Sequence, residues 1–230
     1  MLLEKTIEDW SKRPELSDSK NMELFRAIHS AQHCQRNYDL SQKMPIEDIK
    51  TLVTAATKCP SKQNIKFYKL HVITNRDVIE KVYDACSGMD RSQLENNPSE
   101  NPQVLGNLVF VFEKQDDFDN ESKNSNPETK LYKKEEWATR AIEADTNQAI
   151  GVAAGMVNLS AAQLGYGTGC CACIIDMDKL KQAIGAENKI GLVMGIGFRN
   201  KNKNRLEHHK ESKVTFISRK KQEIPINYMR

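Results

Sequence analysis

No stretch of this sequence approaches the ~18 consecutive apolar residues of a membrane helix. The opening residues, MLLEKTIEDW, carry acids early and lack an apolar run of signal-peptide length, so the chain reads as cytoplasmic, with no membrane partner. An excess of one charge is lacking too. The 34 Lys and Arg nearly cancel the 31 Asp and Glu, which leaves a net charge of +3. That balance argues against nucleic acid as a partner, because a binder of it concentrates basic charge on one face. A secreted disulfide framework is also missing. Cys34, Cys59 and Cys86 lie far apart, whereas Cys170, Cys171 and Cys173 are crowded. Structural zinc favours pairs spaced by two residues, and adjacent Cys170 and Cys171 would point to opposite faces of a strand. There is no internal repeat and no linker between two cores.

What is present is one alternating series of helices and strands, in a chain of 230 residues that can bury a single sizeable core. Helices are expected over 22–34, with Leu24, Phe25 and Ile28 on one side, and over 45–58. The second has Ser41 as a possible cap, Pro45 in its first turn and an apolar stripe of Ile46, Ile49, Val53 and Ala56. FYKLHVIT (67–74) reads as a strand and 76–87 as a helix. LVFVF (108–112) reads as a strand covered on both faces. The polar stretch 88–103 and the more polar 114–130 read as loops, the latter either a lid or a surface insertion. Residues 135–164 form the longest helical candidate, apolar nearly all round in its second half and therefore expected to be buried. GCCACII (169–175), KIGLVMGIGF (189–198) and KVTFIS (213–218) read as strands, with a short helix near 178–184. The sequence thus describes a single layered α/β or α+β domain.

Three segments could carry chemistry. Residues 32–36 offer Gln32, His33, Cys34, Gln35 and Arg36, and a guanidinium fork matches phosphate oxygens. Residues 59–64 follow a helix that Pro60 stops, and Ser61, Gln63 and Asn64 could meet the edge of a planar heterocycle. Either segment alone also reads as an ordinary helix end. Residues 165–173 form a Gly-rich turn that leads into small residues, where a ligand could lie against the main chain. A dinucleotide fingerprint follows a strand and opens a helix. Here the order is helix, glycines, strand, so that fold is disfavoured.

In order and spacing these segments resemble the nitroreductase-like family of flavoproteins over about 30–200. Gln32-His33-Cys34-Gln35-Arg36-Asn37-Tyr38 stands where the family has Arg-Arg-Ser-x-Arg-x-Phe. Pro60-Ser61-Lys62-Gln63-Asn64 matches its Pro-Ser-x-x-Asn loop, and NLSAAQLGYGTGCCACI and LVMGIGF match its later helix, turn and strands. The chain departs from the pattern in keeping one arginine of the first motif and in carrying Cys34 for serine. The resemblance implies an α+β fold of three layers, α/β/α, with a mostly antiparallel sheet and helices on both faces, all within one domain spanning 1–230. It implies FMN as cofactor, NADH or NADPH as electron donor, and a small oxidised substrate such as a quinone or nitroaromatic. It places Gln32, His33, Cys34 and Arg36 on the flavin phosphate and ribityl chain, and Pro60, Ser61 and Asn64 on the ring of the partner subunit's flavin. Cys170, Cys171, Ala172 and Cys173 would lie against the isoalloxazine, and Arg219 would complete the phosphate site. It implies a homodimer with the flavin at the interface and residues 199–230 embracing the partner. No catalytic side chain and no metal is expected, because the flavin carries the chemistry. Two other readings stay open: a flavin-binding or flavin-consuming protein of the same fold, and a metal or redox protein built on the crowded cysteines.

Overall fold

The computed structural model describes residues 21–86, 101–115, 136–207, 222 and 224–229. In chain order its helices and strands are α1 (Asn21–Ala31), α2 (Ile46–Thr57), β1 (Tyr68–Ile73), α3 (Arg76–Asp84), β2 (Leu108–Lys114), α4 (Glu136–Gln163), β3 (Gly167–Cys171), α5 (Met177–Ile184) and β4 (Ile190–Gly197). The strands form one sheet in the order β1-β2-β4-β3, and every neighbouring pair is antiparallel.

The alternation of a strand explains the layering. Successive side chains of β2 point to opposite faces. Val109 and Val111 enter one core with Ile79 and Val82 of α3 and Leu180 of α5. Leu108, Phe110 and Phe112 enter the other with Leu52 of α2 and Ala153 and Val157 of α4. Helices therefore cover both faces, and the continuous apolar run 108–112 is buried throughout, as expected.

The helices depart from the sequence reading where an apolar residue faces outward. In α2, Ile46 is 62% exposed, and Leu52 joins Ile49, Val53 and Ala56 on the packed side. Ser41 does not cap this helix. Its hydroxyl and its N–H both donate to Asp39 Oδ1, and Pro45 holds the N-cap position. In α1, Leu24 and Ile28 are exposed and Ala27 is the buried contact. The second half of α4 is not buried all round. Ala149, Ile150, Ala153, Ala154, Val157 and Ala161 are buried, while Val152 and Met156 are 42% and 39% exposed beside exposed Gly151 and Gly155. Composition alone cannot separate a buried helix from one that packs on one side and leaves apolar residues on the other.

Past α4 the chain turns at Gly165, whose φ of +88° favours glycine. β3 is shorter than expected, and Ala172 and Cys173 lie beyond its end. The expected strand 213–218, Arg219 and most of the two polar loops lie outside the described residues. Among the described residues, no helix is long and apolar enough to cross a membrane.

Candidate functional site

β3 is an edge of the sheet, and an open edge presents unpaired backbone groups. Residues 34 and 35 cover part of it. Cys34 forms a parallel bridge with Thr168, and Gln35 N–H donates to the Thr168 carbonyl at 2.7 Å. The first candidate segment is therefore not a frayed helix end, as its composition also allowed. α1 stops at Ala31, and Asn158 on α4 fixes that end: its Nδ2 donates to the Ala31 carbonyl at 3.0 Å, and its Oδ1 accepts from the Thr168 hydroxyl. One side chain thus holds the end of α1, the last turns of α4 and the start of β3 together.

Within this segment Gln32 and His33 are exposed, and Gln32 Nε2 lies 2.8 Å from His29 Nδ1. Cys34 donates to Gln103 Oε1. Burial raises the Cys34 thiol above its ordinary value and outweighs the opposing charge of Arg36, so it stays protonated. Arg36 is clasped from the C-terminal side. Its N–H donates to the Arg205 carbonyl at 3.0 Å, and Arg205 Nη1 donates to the Cys34 carbonyl at 3.2 Å. Two guanidinium residues therefore flank the same three residues. The sequence reading did not find Arg205; it chose Arg219, which is not among the described residues. Arg205 stands in a polar connection without periodicity, and only its position after LVMGIGF, the strand that returns to β3, could have pointed to it.

Arg199 is a third cation in the neighbourhood. Its Nη2 donates to the Tyr166 carbonyl at 3.1 Å and also bonds the Ser30 hydroxyl, and burial lowers its pKa. Its buried Nε has no hydrogen-bond partner among the described residues, an unmet donor that costs stability where it stands.

The Gly-rich segment behaves differently from expectation at one point. A Cβ on Gly195 would lie 2.0 Å from the Gln103 carbonyl, and one on Gly169, its cross-strand partner, 2.7 Å from both Gln103 Cβ and the Gln35 carbonyl. At these positions the main chain is approached by Gln35 and Gln103, which press onto the sheet through the missing side chains. Tyr38 locks the arrangement, because its buried hydroxyl lies 3.0 Å from the Gln103 carbonyl and 3.3 Å from that of Gly195. Cys170 is open to solvent, yet enough protein surrounds its thiol that burial pushes it up to about 12, with the Cys34 and Cys171 thiols adding to the shift. Cys171 points to the opposite face and is buried, while Ala172 and Cys173 are exposed beyond the strand end.

The Pro60 loop sits elsewhere in the chain. Ser61 Oγ donates to the Ile65 carbonyl at 2.8 Å, and Gln63 and Asn64 both adopt positive φ, 52° and 59°. Pro60, Lys62, Gln63 and Asn64 are exposed. Lys62 Nζ pairs with Asp145 Oδ2 at 2.7 Å and ties the loop to the first half of α4. The other candidate segment meets the same helix at Asn158. At 1.5 Å per residue the two attachment points are about 20 Å apart along the helix.

A family model described as the nitroreductase family matches residues 30–198. A comparison with curated proteins gives no match. Among solved structures, nitroreductase A from Vibrio parahaemolyticus superposes with a TM-score of 0.58 at 14% identity, covering 85% of this chain and 78% of that one. A nitroreductase family protein from Clostridium novyi gives 0.56 at 15% identity, with 80% and 90% covered. A protein from Exiguobacterium sibiricum, named as a nitroreductase and crystallised with FMN, gives 0.59 at 17% identity, with 82% and 92% covered. These identities speak to the fold; the matched family model spans most of the chain, and the chain belongs to the nitroreductase family.

Proposed function

We propose that this protein is an FMN-dependent oxidoreductase, which takes a hydride from NADH or NADPH and passes it to a small oxidised acceptor such as a quinone or nitroaromatic. The single observation that carries the reading is the clasp of Arg36 and Arg205 around Cys34, which pairs with the β3 edge two residues before exposed Cys170. Its donor set fits a phosphorylated flavin. Two guanidinium groups suit a phosphate dianion, since each fork can donate two charge-assisted hydrogen bonds. The thiol of Cys170, held protonated by its surroundings, suits an uncharged ring. FMN, when bound, supplies the ring that accepts and returns the hydride. The chain's own part is to bind and orient that ring and to keep the Cys34 and Cys170 thiols protonated beside it.

The separation of the two candidate segments favours a homodimer. The loop is anchored at Asp145 and the end of α1 at Asn158, about 20 Å apart along α4, a spacing that supports two subunits contributing the two segments to one flavin. The exposed apolar residues Val152 and Met156 lie on α4 between the two attachment points. They suit a surface that a second copy covers.

The test is optical. Purified protein titrated with FMN is expected to take on flavin absorbance and quench flavin fluorescence, then to consume NADH or NADPH steadily when a quinone is added. A protein that stays colourless at saturating FMN overturns the reading. Binding without turnover replaces the reductase reading with that of a flavin-binding or flavin-consuming protein.

A further inference from the structure

A third side chain reaches the clasp at residue 34. Gln103 lies half-buried in the single turn Pro102–Val104 that leads towards β2, and the Cys34 thiol donates to its Oε1. Arg205 Nη1 donates to the carbonyl of the same Cys34 at 3.2 Å, and Arg36 follows two residues later. Three segments far apart in sequence thus bring one amide and two guanidinium residues to one place.

Gln103 is held in position at both of its ends. Its main chain is tied down twice. The N–H donates to Asn101 Oδ1 at 3.1 Å, and the carbonyl accepts from the buried Tyr38 hydroxyl at 3.0 Å. Beneath it the sheet leaves room. A Cβ on Gly169 would lie 2.7 Å from Gln103 Cβ, and one on Gly195 would lie 2.0 Å from the Gln103 carbonyl oxygen. The side chain is fixed in sense as well. A primary amide has one acceptor arm and one donor arm, and a thiol that donates selects the oxygen. Burial keeps the Cys34 thiol protonated, so it remains a donor. The Nε2 arm is then the one turned away from the thiol, and among the described residues it has no hydrogen-bond partner. Two N–H donors held in a set orientation beside two arginines are preorganised for an oxygen-rich anion.

We propose that Gln103 is a phosphate-binding residue, whose Nε2 donates to a phosphate oxygen of the cofactor beside Arg36 and Arg205. The proposal rests on the FMN reading and adds a neutral donor to it. Two guanidinium groups already balance a phosphate dianion, and an amide supplies a further hydrogen bond without a third positive charge.

The experiment separates donation from support with two substitutions and two flavins. Gln103→Glu keeps an oxygen that can accept from the Cys34 thiol, but replaces the NH2 with a carboxylate oxygen. Gln103→Met keeps the length and loses both arms. Fluorescence titrations of the full chain with FMN, and with riboflavin, which lacks the phosphate, give the affinities. The expected order for FMN is parent, methionine, glutamate: about 3–10-fold weaker for methionine, which loses one hydrogen bond, and at least about 30-fold weaker for glutamate, where like charges meet. Riboflavin is expected to bind all three within about twofold. If Gln103 only supports Cys34, the order changes: glutamate matches the parent, and methionine weakens both flavins equally. Either of those results overturns the proposal. Should the glutamate variant fail to fold, the methionine variant decides alone, and an unchanged ratio of FMN to riboflavin affinity overturns the proposal. A parent chain that binds no FMN overturns the FMN reading itself and the proposal with it. A parent that binds FMN with an affinity indifferent to residue 103 overturns the proposal alone.

Discussion

Arg36 and Arg205 are a matched pair at the scale of single residues, since each uses its main chain or side chain to hold the other's segment. The side chain of Arg205 donates to the Cys34 carbonyl, and its planar fork is the kind of donor that matches phosphate oxygens. A hydrogen bond to a charged group contributes about 1.5–3 kcal/mol, and about 1.4 kcal/mol is tenfold in affinity. Arg36→Ala and Arg205→Ala are each expected to weaken FMN binding by about 10–100-fold. Arg205→Lys keeps the charge but loses the fork and is expected to fall between alanine and arginine. Fluorescence titration at fixed ionic strength measures all three. Unchanged affinity in both alanine variants would show that the phosphate sits elsewhere. Arg36 entered from the sequence through the family resemblance, since its segment alone also reads as a helix end. Arg205 did not, because what identifies it is a main-chain contact across more than half the chain.

Elements show the same division. A continuous apolar run located β2, and length located α4, since each signal is local. What local patterning could not give was the outward side of α1, α2 and α4, or the pairing of residues 34 and 35 with the β3 edge. Both depend on what stands opposite. Glu113 near the end of β2 is a clear case, a carboxylate just past the apolar run 108–112 that is only 1% exposed. It lies 2.6 Å from His71 Nε2 on β1 and accepts at 2.8 Å from the N–H groups of both Glu187 and Asn188, at the entry to β4. Three elements are pinned through one side chain. Burial alone would raise its pKa, but the Asn188 N–H, His71, the Glu187 N–H and Lys69 outweigh it and hold it below the ordinary 4.5. A depressed carboxyl contributes stability in full above its unfolded value, and that contribution is lost as pH falls through the lower folded value. The melting temperature is therefore expected to drop on acidification below about 4.5. Glu113→Gln is expected to lower stability by about 2 kcal/mol near neutral pH and to flatten that acid limb. Differential scanning calorimetry across the range checks it; an acid limb as steep in the variant as in the parent would remove Glu113 as its source.

For the whole molecule, the question is what covers the outer surface of α4. The helix presents Gly151, Val152, Gly155 and Met156 to solvent, and small residues at such spacing let another backbone approach closely. On the proposed homodimer, a second copy covers this surface and its Pro60 loop serves the first copy's flavin, since loop and first segment are anchored about 20 Å apart on α4. Oligomeric state and cofactor binding are then one property. Met156→Glu puts a charge on that surface without touching Arg36, Arg205, Cys170 or a buried core residue. It is expected to shift sedimentation from dimer to monomer and, in the same concentration range, to weaken FMN binding at least about tenfold, because an unpaired charge at an interface costs several kcal/mol. The folded protomer should keep its helical circular dichroism, since the substituted position is solvent-facing. A Met156→Glu protein that remains dimeric moves the interface off α4. A monomer that binds FMN as tightly as the parent separates the cofactor site from the subunit contact, and the Pro60 loop then has no part in it.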